Sequence, residues 1–186
     1  MEPINLFLRA IDQTGRIVAG VKPDQLGLPT PCAEWDVRAL LNHTIGAAQM
    51  FSDAAQGKPF EGARFATDLV GDDSAAAYDQ GAGQLRGAVG KPGVLDQMWT
   101  MPFGTVPGAI AVAIATVEAE QHGWDVAKAT AQLVDFDPEL AEAALANARM
   151  MPPDQARRAG VFGPEVSCSA DAAVHDRLAA FLGRQL

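Results

Sequence analysis

Hydrophobic positions recur at helical spacing along most of this chain. Ile4, Phe7, Leu8, Ile11, Ile17 and Val18 follow a 3.6-residue repeat, which predicts an amphipathic helix over residues 3–21. Residues 22–33 hold Pro23, Gly27, Pro29 and Pro31 and read as a loop. Asp36 is a suitable N-cap, and Trp35 before it is placed to pack on Leu40 as a hydrophobic staple. A second helix is expected over 37–55, with Val37, Leu40, Leu41, Thr44, Ile45, Ala48 and Phe51 as its core stripe and His43 bordering that stripe. Residues 56–71 form a long crossover, which lets the next helix run parallel to the second. That third helix starts at Asp72 or Asp73 and runs to about residue 89, weakened by Gly81, Gly83 and Gly87. Alternation over 98–103, followed by Gly104, suggests a short hairpin.

Residues 107–130 break the amphipathic pattern. From Ala109 to Val117 the only polar side chain is Thr116, so a helix here is buried on all sides. The segment then carries Glu118 and, four residues later, His122. That spacing stacks the two on one helix face, about 6 Å apart along the axis. Asp125 continues the face, three residues beyond His122. A carboxylate leaving an apolar segment is costly unless paired or bound to a metal. Further on, Asp137-Pro138 opens a helix to about residue 150, and Pro152-Pro153 stops it. Residues 157–170 read as irregular. Asp171 caps a last helix over 172–182, with Gly183 as its C-terminal signal.

Composition narrows the possibilities. A chain of 186 residues suits one domain, and 48% hydrophobic content is ample for a core. The net charge of −9 excludes nucleic acid as a partner, since phosphates would not be neutralised. No amino-terminal signal and no apolar run near 20 residues is present, so a soluble, cytoplasmic protein without membrane contact is expected. Cys32 and Cys168 read as two free thiols. A reactive Cys32 would need a basic neighbour, which the sequence does not identify.

Chemistry concentrates on few residues. His43, Glu118 and His122 make a His, carboxylate, His set that holds a divalent cation and leaves coordination positions open. Asp125 would hold the other ring nitrogen of a ligand histidine; the alternative is a solvated helix acid. Glu118 and His122 have their own plainer reading, a hydrogen-bonded pair within one helix. Glu120 and Gln121 lie off this face, as solvent-facing or packing residues, and Trp124 is expected in the core. His175, beside Asp176 and Arg177, reads as an exposed helix residue. No Gly-rich phosphate loop, nucleophile elbow or CxxC motif occurs.

LPTPCAEWDVRALLNHTIG, MPFGTVPG, the E-x-x-x-H-x-x-D of the buried helix and the closing DRLAAFLGR together resemble an actinobacterial family of the DinB/YfiT-like superfamily. It is close to the amino-terminal domain of mycothiol-dependent maleylpyruvate isomerase. The resemblance covers essentially the whole chain, and W-D-V-R-x-L-x-N-H is its most specific part. It implies an all-α, DinB-like four-helix bundle of up-down-down-up topology, with a core over about 3–130 and a helical tail over 131–186. It also implies a zinc or nickel ion held by one histidine of the second helix and two ligands of the fourth, matching His43, Glu118 and His122. Many superfamily members use three histidines; Glu118 here is the isomerase-like pattern. The isomerase has an additional carboxy-terminal domain where this chain has only a short tail. What carries over is therefore a thiol (mycothiol)-dependent transferase or isomerase, rather than maleylpyruvate isomerisation itself. Its partners would be a small-molecule thiol and an electrophilic substrate, with a homodimer open to it. A metal-dependent hydrolase and a non-enzymatic binding bundle are the alternatives.

Overall fold

The structure, a computed structural model, describes residues 2–33 and 35–186. Four long helices form the bundle: α1 (Pro3–Ala19), α2 (Val37–Ala55), α3 (Ser74–Val89) and α4 (Gly108–Ala129). A hairpin of β1 (Met98–Met101) and β2 (Gly104–Pro107) precedes α4, and α5 (Pro138–Met150), α6 (Pro153–Arg158) and α7 (Val174–Phe181) follow it. The starts of three helices obey the expected chemistry. Asp36, Asp73 and Asp137 each accept a hydrogen bond from a backbone N–H in the first turn.

Side-chain contacts fix the topology. Near the start of α2, Arg38 pairs with Asp68 and donates to the Gly71 carbonyl just before α3, while Gly81 in mid-α3 lies against Ala48. The two helices therefore run parallel. Thr14 reaches the Ala119 carbonyl, and Gln132, just past α4, reaches that of Ile17 near the end of α1, so these two are parallel as well. Gly15 lies against the ring of Tyr78, and Asp12, earlier in α1, pairs with Arg86, later in α3, which sets α1 and α3 antiparallel. This is the up-down-down-up bundle. Residues 56–73 span the parallel pair, and Asn42 holds this crossover by accepting from the backbone N–H groups of Leu69 and Val70.

The core has two parts. The larger fills the bundle, with Phe7, Leu40, Leu41, Ile45, Tyr78, Leu85 and Trp99 among its buried members. The smaller joins α4 at Val117 to Leu145 of α5, Leu178 and Phe181 of α7, and Phe162. Having neighbours on every side, α4 is buried at every position from Ala119 to Ala127. Glu120 and Gln121 are accordingly 1% and 3% exposed, so neither faces solvent.

The carboxy-terminal region departs from expectation in three places. Pro152-Pro153 ends α5, but Pro153 also starts α6, because its fixed φ and missing N–H suit a first helical turn. α7 begins at Val174 after Ala173, and Asp171 does not cap it. His175 is half-buried, its ring 4.9 Å from that of Phe136. No described helix is long and apolar enough to cross a membrane.

Candidate metal centre

α2 and α4 run antiparallel, which brings His43 opposite Glu118 and His122. The Glu118 carboxylate contacts both imidazoles through one oxygen: Oε1 meets His43 Nε2 in a very short contact and His122 Nε2 at 3.2 Å. One donor atom from each of the three residues falls within 4.8 Å of the other two. The histidine rings meet edge to face, with centroids 5.0 Å apart. Trp35 packs on His43 at 4.6 Å and reaches His122 at 6.0 Å, while Phe65 of the crossover also packs on His43, at 5.8 Å. Gly46 makes room for this, since a Cβ there would stand 2.9 Å from the Phe65 ring.

Exposure is graded across the group. The side chains of His43 and Glu118 are 27% and 31% exposed, that of His122 9% and that of Asp125 0%. The trio therefore opens on one side, into a cavity of about 520 Å³, and its rear is sealed. Asp125 forms that rear. Its Oδ2 accepts from His122 Nδ1 at 3.0 Å, and its Oδ1 from Gln121 Nε2 at 3.0 Å. It is thus a buried acid bound to the histidine, not a solvated one.

Two side chains join the cluster that sequence reasoning did not place there. Arg184, just past α7, donates to both oxygens of Asp125, at 3.2 and 3.1 Å. The same guanidinium lies 3.2 Å from Cys32 Sγ, and that sulfur is 3.1 Å from Asp125 Oδ2 and 4.0 Å from His122 Nδ1. The basic neighbour of Cys32 comes from 152 residues away. Gly183 delivers it. It adopts φ +92 after α7, and a Cβ there would stand 2.5 Å from the Gly163 Cα, so only glycine fits this turn.

The electrostatics follow from these contacts. Burial acts to raise the Glu118 pKa, but the charge of His122 and hydrogen bonds from both histidines outweigh it and hold the carboxyl well below its usual range. Burial acts against the His122 cation, but Glu118, Asp125 and Cys32 together raise its pKa well above that of a free imidazole. Asp125 is likewise lowered despite its burial, by His122 and Arg184. The donor set suits a divalent cation: two imidazole nitrogens and an ionised carboxylate, one of the imidazoles held from behind by a carboxylate.

A family model described as the mycothiol maleylpyruvate isomerase N-terminal domain matches residues 7–127, from α1 to α4. An uncharacterized protein of Mycobacterium tuberculosis, found in two strains, is 36% identical over 185 residues, covering 99% of this chain and 98% of its own. Among solved structures, the mycothiol-dependent maleylpyruvate isomerase superposes with a TM-score of 0.60 at 15% identity, and a histidine-to-alanine mutant of it with 0.64 at 13%. Both superpositions cover 78% of this chain and 65% of the isomerase, just under two thirds of its length. At these identities the likeness is one of fold.

Proposed function

Since this chain belongs to the mycothiol maleylpyruvate isomerase N-terminal domain family, we propose that it is a metal-dependent enzyme that uses a low-molecular-weight thiol on an electrophilic small molecule, as a transferase or an isomerase. One observation carries the reading: donor atoms of His43, Glu118 and His122 converge within 4.8 Å at the floor of an open cavity. These three residues would hold the metal, zinc in the first place and nickel in the second, and mycothiol is the thiol the family's name suggests. When bound, a divalent cation supplies the charge that favours a thiolate over a thiol at neutral pH.

The chain's own side chains do the rest. Asp125 accepts the His122 Nδ1 proton, which leaves Nε2 directed toward Glu118 and the cavity. Trp35 and Phe65 both pack on the His43 ring and limit its freedom to turn. Val117 and Phe162 give the cavity apolar wall against which the carbon skeleton of a substrate would lie.

The first experiment is metal content by mass spectrometry on protein purified without chelators or affinity nickel, with H43A and E118Q alongside. Near-stoichiometric metal is expected in wild type, with a loss of at least tenfold in each variant. Loaded protein is then expected to consume mycothiol together with an electrophile, and H43A is not. Wild type that takes up no metal even after reconstitution with zinc would refute the trio. Metal uptake without any thiol-dependent turnover or thiol binding would refute the thiol reading alone.

A further inference from the structure

Asp125 holds the Nδ1 side of His122, and much of what holds Asp125 comes from outside α4. Gln121 and His122 share its helix, each bonding one carboxylate oxygen at 3.0 Å. Cys32 Sγ lies 3.1 Å from Oδ2. Arg184, from the far end of the chain, bonds both oxygens: Nε donates to Oδ1 at 3.2 Å and a terminal nitrogen to Oδ2 at 3.1 Å. Such a two-point fork fixes the plane of a carboxylate as well as its position. The guanidinium is itself anchored. Its other terminal nitrogen donates to the Leu182 carbonyl at 3.3 Å, and the same carbonyl accepts from the Gly163 N–H at 3.0 Å. Asp125 is 0% exposed, and among the described residues Arg184 is the only arginine or lysine paired with it. A buried carboxylate needs a partner charge, and a guanidinium keeps its charge whatever occupies the histidine.

We propose that Arg184 is a positioning residue for the metal centre: its fork locks the Asp125 carboxylate, and through Nδ1 the ring of His122, so that Nε2 is held in place for the cation. The inference deepens the metal reading above and rests on it. No hydrogen bond joins Arg184 to His43, Glu118 or His122 among the described residues, so its effect passes through Asp125. Without the fork, Asp125 keeps only Cys32 and its neighbours on α4, and the His122 ring gains freedom to turn. Ordering that ring again when the cation binds lowers the affinity. The centre, built on α2 and α4, thus draws its rigidity from a residue beyond α7.

The test is the zinc dissociation constant, measured by competition with a chromophoric chelator on full-length wild type, R184Q, R184K, D125N and D125N/R184Q. R184Q is expected to bind about tenfold more weakly, while still taking up zinc at saturation. R184K, which keeps the charge but not the fork, is expected to lie between R184Q and wild type. In the D125N background, R184Q is expected to change the affinity by roughly twofold at most, because the route through Asp125 is already cut. Cobalt-loaded R184Q is expected to show visible absorption bands shifted from those of wild type. Circular dichroism checks folding, and R184K carries the test if R184Q does not fold. A role in folding alone would lower the melting temperature of metal-free R184Q and leave its dissociation constant and cobalt bands unchanged. That result overturns the proposal, as does a folded R184K that binds zinc as wild type does, or an R184Q effect of full size on top of D125N. Wild type that binds no zinc overturns the metal reading as well, so the two failures are told apart.

Discussion

Glu120 lies between the two α4 residues of the trio in sequence but points the other way, toward α1. It is 1% exposed; its Oε2 accepts from Gln13 Nε2 at 2.8 Å, and its Oε1 has no partner among the described residues. Burial pushes its pKa up to about 7, with the Asp137 charge adding to the rise and Gln13 opposing it. A raised carboxyl holds its proton in the folded chain at pH values where the unfolded chain has released it. Stability from this group is therefore greatest below the ordinary value of 4.5, falls as pH climbs toward 7, and is flat above. The expected loss across that window is roughly 3 kcal/mol at most. Urea unfolding of metal-free protein from pH 4.5 to 8 checks this, and E120Q should flatten the profile. Periodicity could not reveal this carboxyl. It marks one stripe on a helix, whereas α4 has neighbours on every side. That His43, Glu118 and His122 could meet was legible because Glu118 and His122 share one helix face at a four-residue spacing and His43 borders the core stripe of α2. Cys32 and Arg184 were not, since their meeting depends on the path of the whole tail.

At the level of elements, closeness is set by small residues. α1 and α4 touch at Gly123, where a Cβ would come within 2.9 Å of Thr14 Oγ1, the hydroxyl that bonds the Ala119 carbonyl. G123A improves helix propensity by up to about 1 kcal/mol, but it forces the two helices apart at a cost of about 1–3 kcal/mol. The net expectation is a lower melting temperature, with metal content as a second readout of any shift in His122. Gly183 controls a different element. G183A places a side chain in a left-handed turn and against Gly163, so the segment that aims Arg184 must move. The variant is expected to melt several degrees lower than wild type, because the strained turn and the contact with Gly163 must both relax. α1 could be read from its stripe, α2 and α3 from their aspartate caps, and α4 from its unbroken apolar run. α6 could not, because a proline pair looks the same whether it stops one helix or opens another.

Across the whole molecule, the two cores divide the labour. The bundle core sets α2 against α4 and so builds the trio; the smaller core of α4, α5 and α7 builds the wall that faces it. Leu178, 1% exposed, belongs to the second. L178A is expected to cost about 2–4 kcal/mol and to raise hydrogen exchange through residues 153–186. Metal content should stay at the wild-type level, because Leu178 belongs to the smaller core, whereas the packing of α2 on α4 that brings the trio together belongs to the larger one. Loss of metal in a folded L178A would show that the two cores are not independent. The floor of the cavity and its facing wall thus come from stretches of chain that share only α4 and a few side chains. Relatives could exchange residues 151–183, altering the size and polarity of the chamber, while His43, Glu118 and His122 stay in place on α2 and α4 and an arginine at position 184 still holds Asp125. Chimeras joined after α5 would then keep one chemistry and select new molecules for it, so the tail is the place to look for what distinguishes one member from the next.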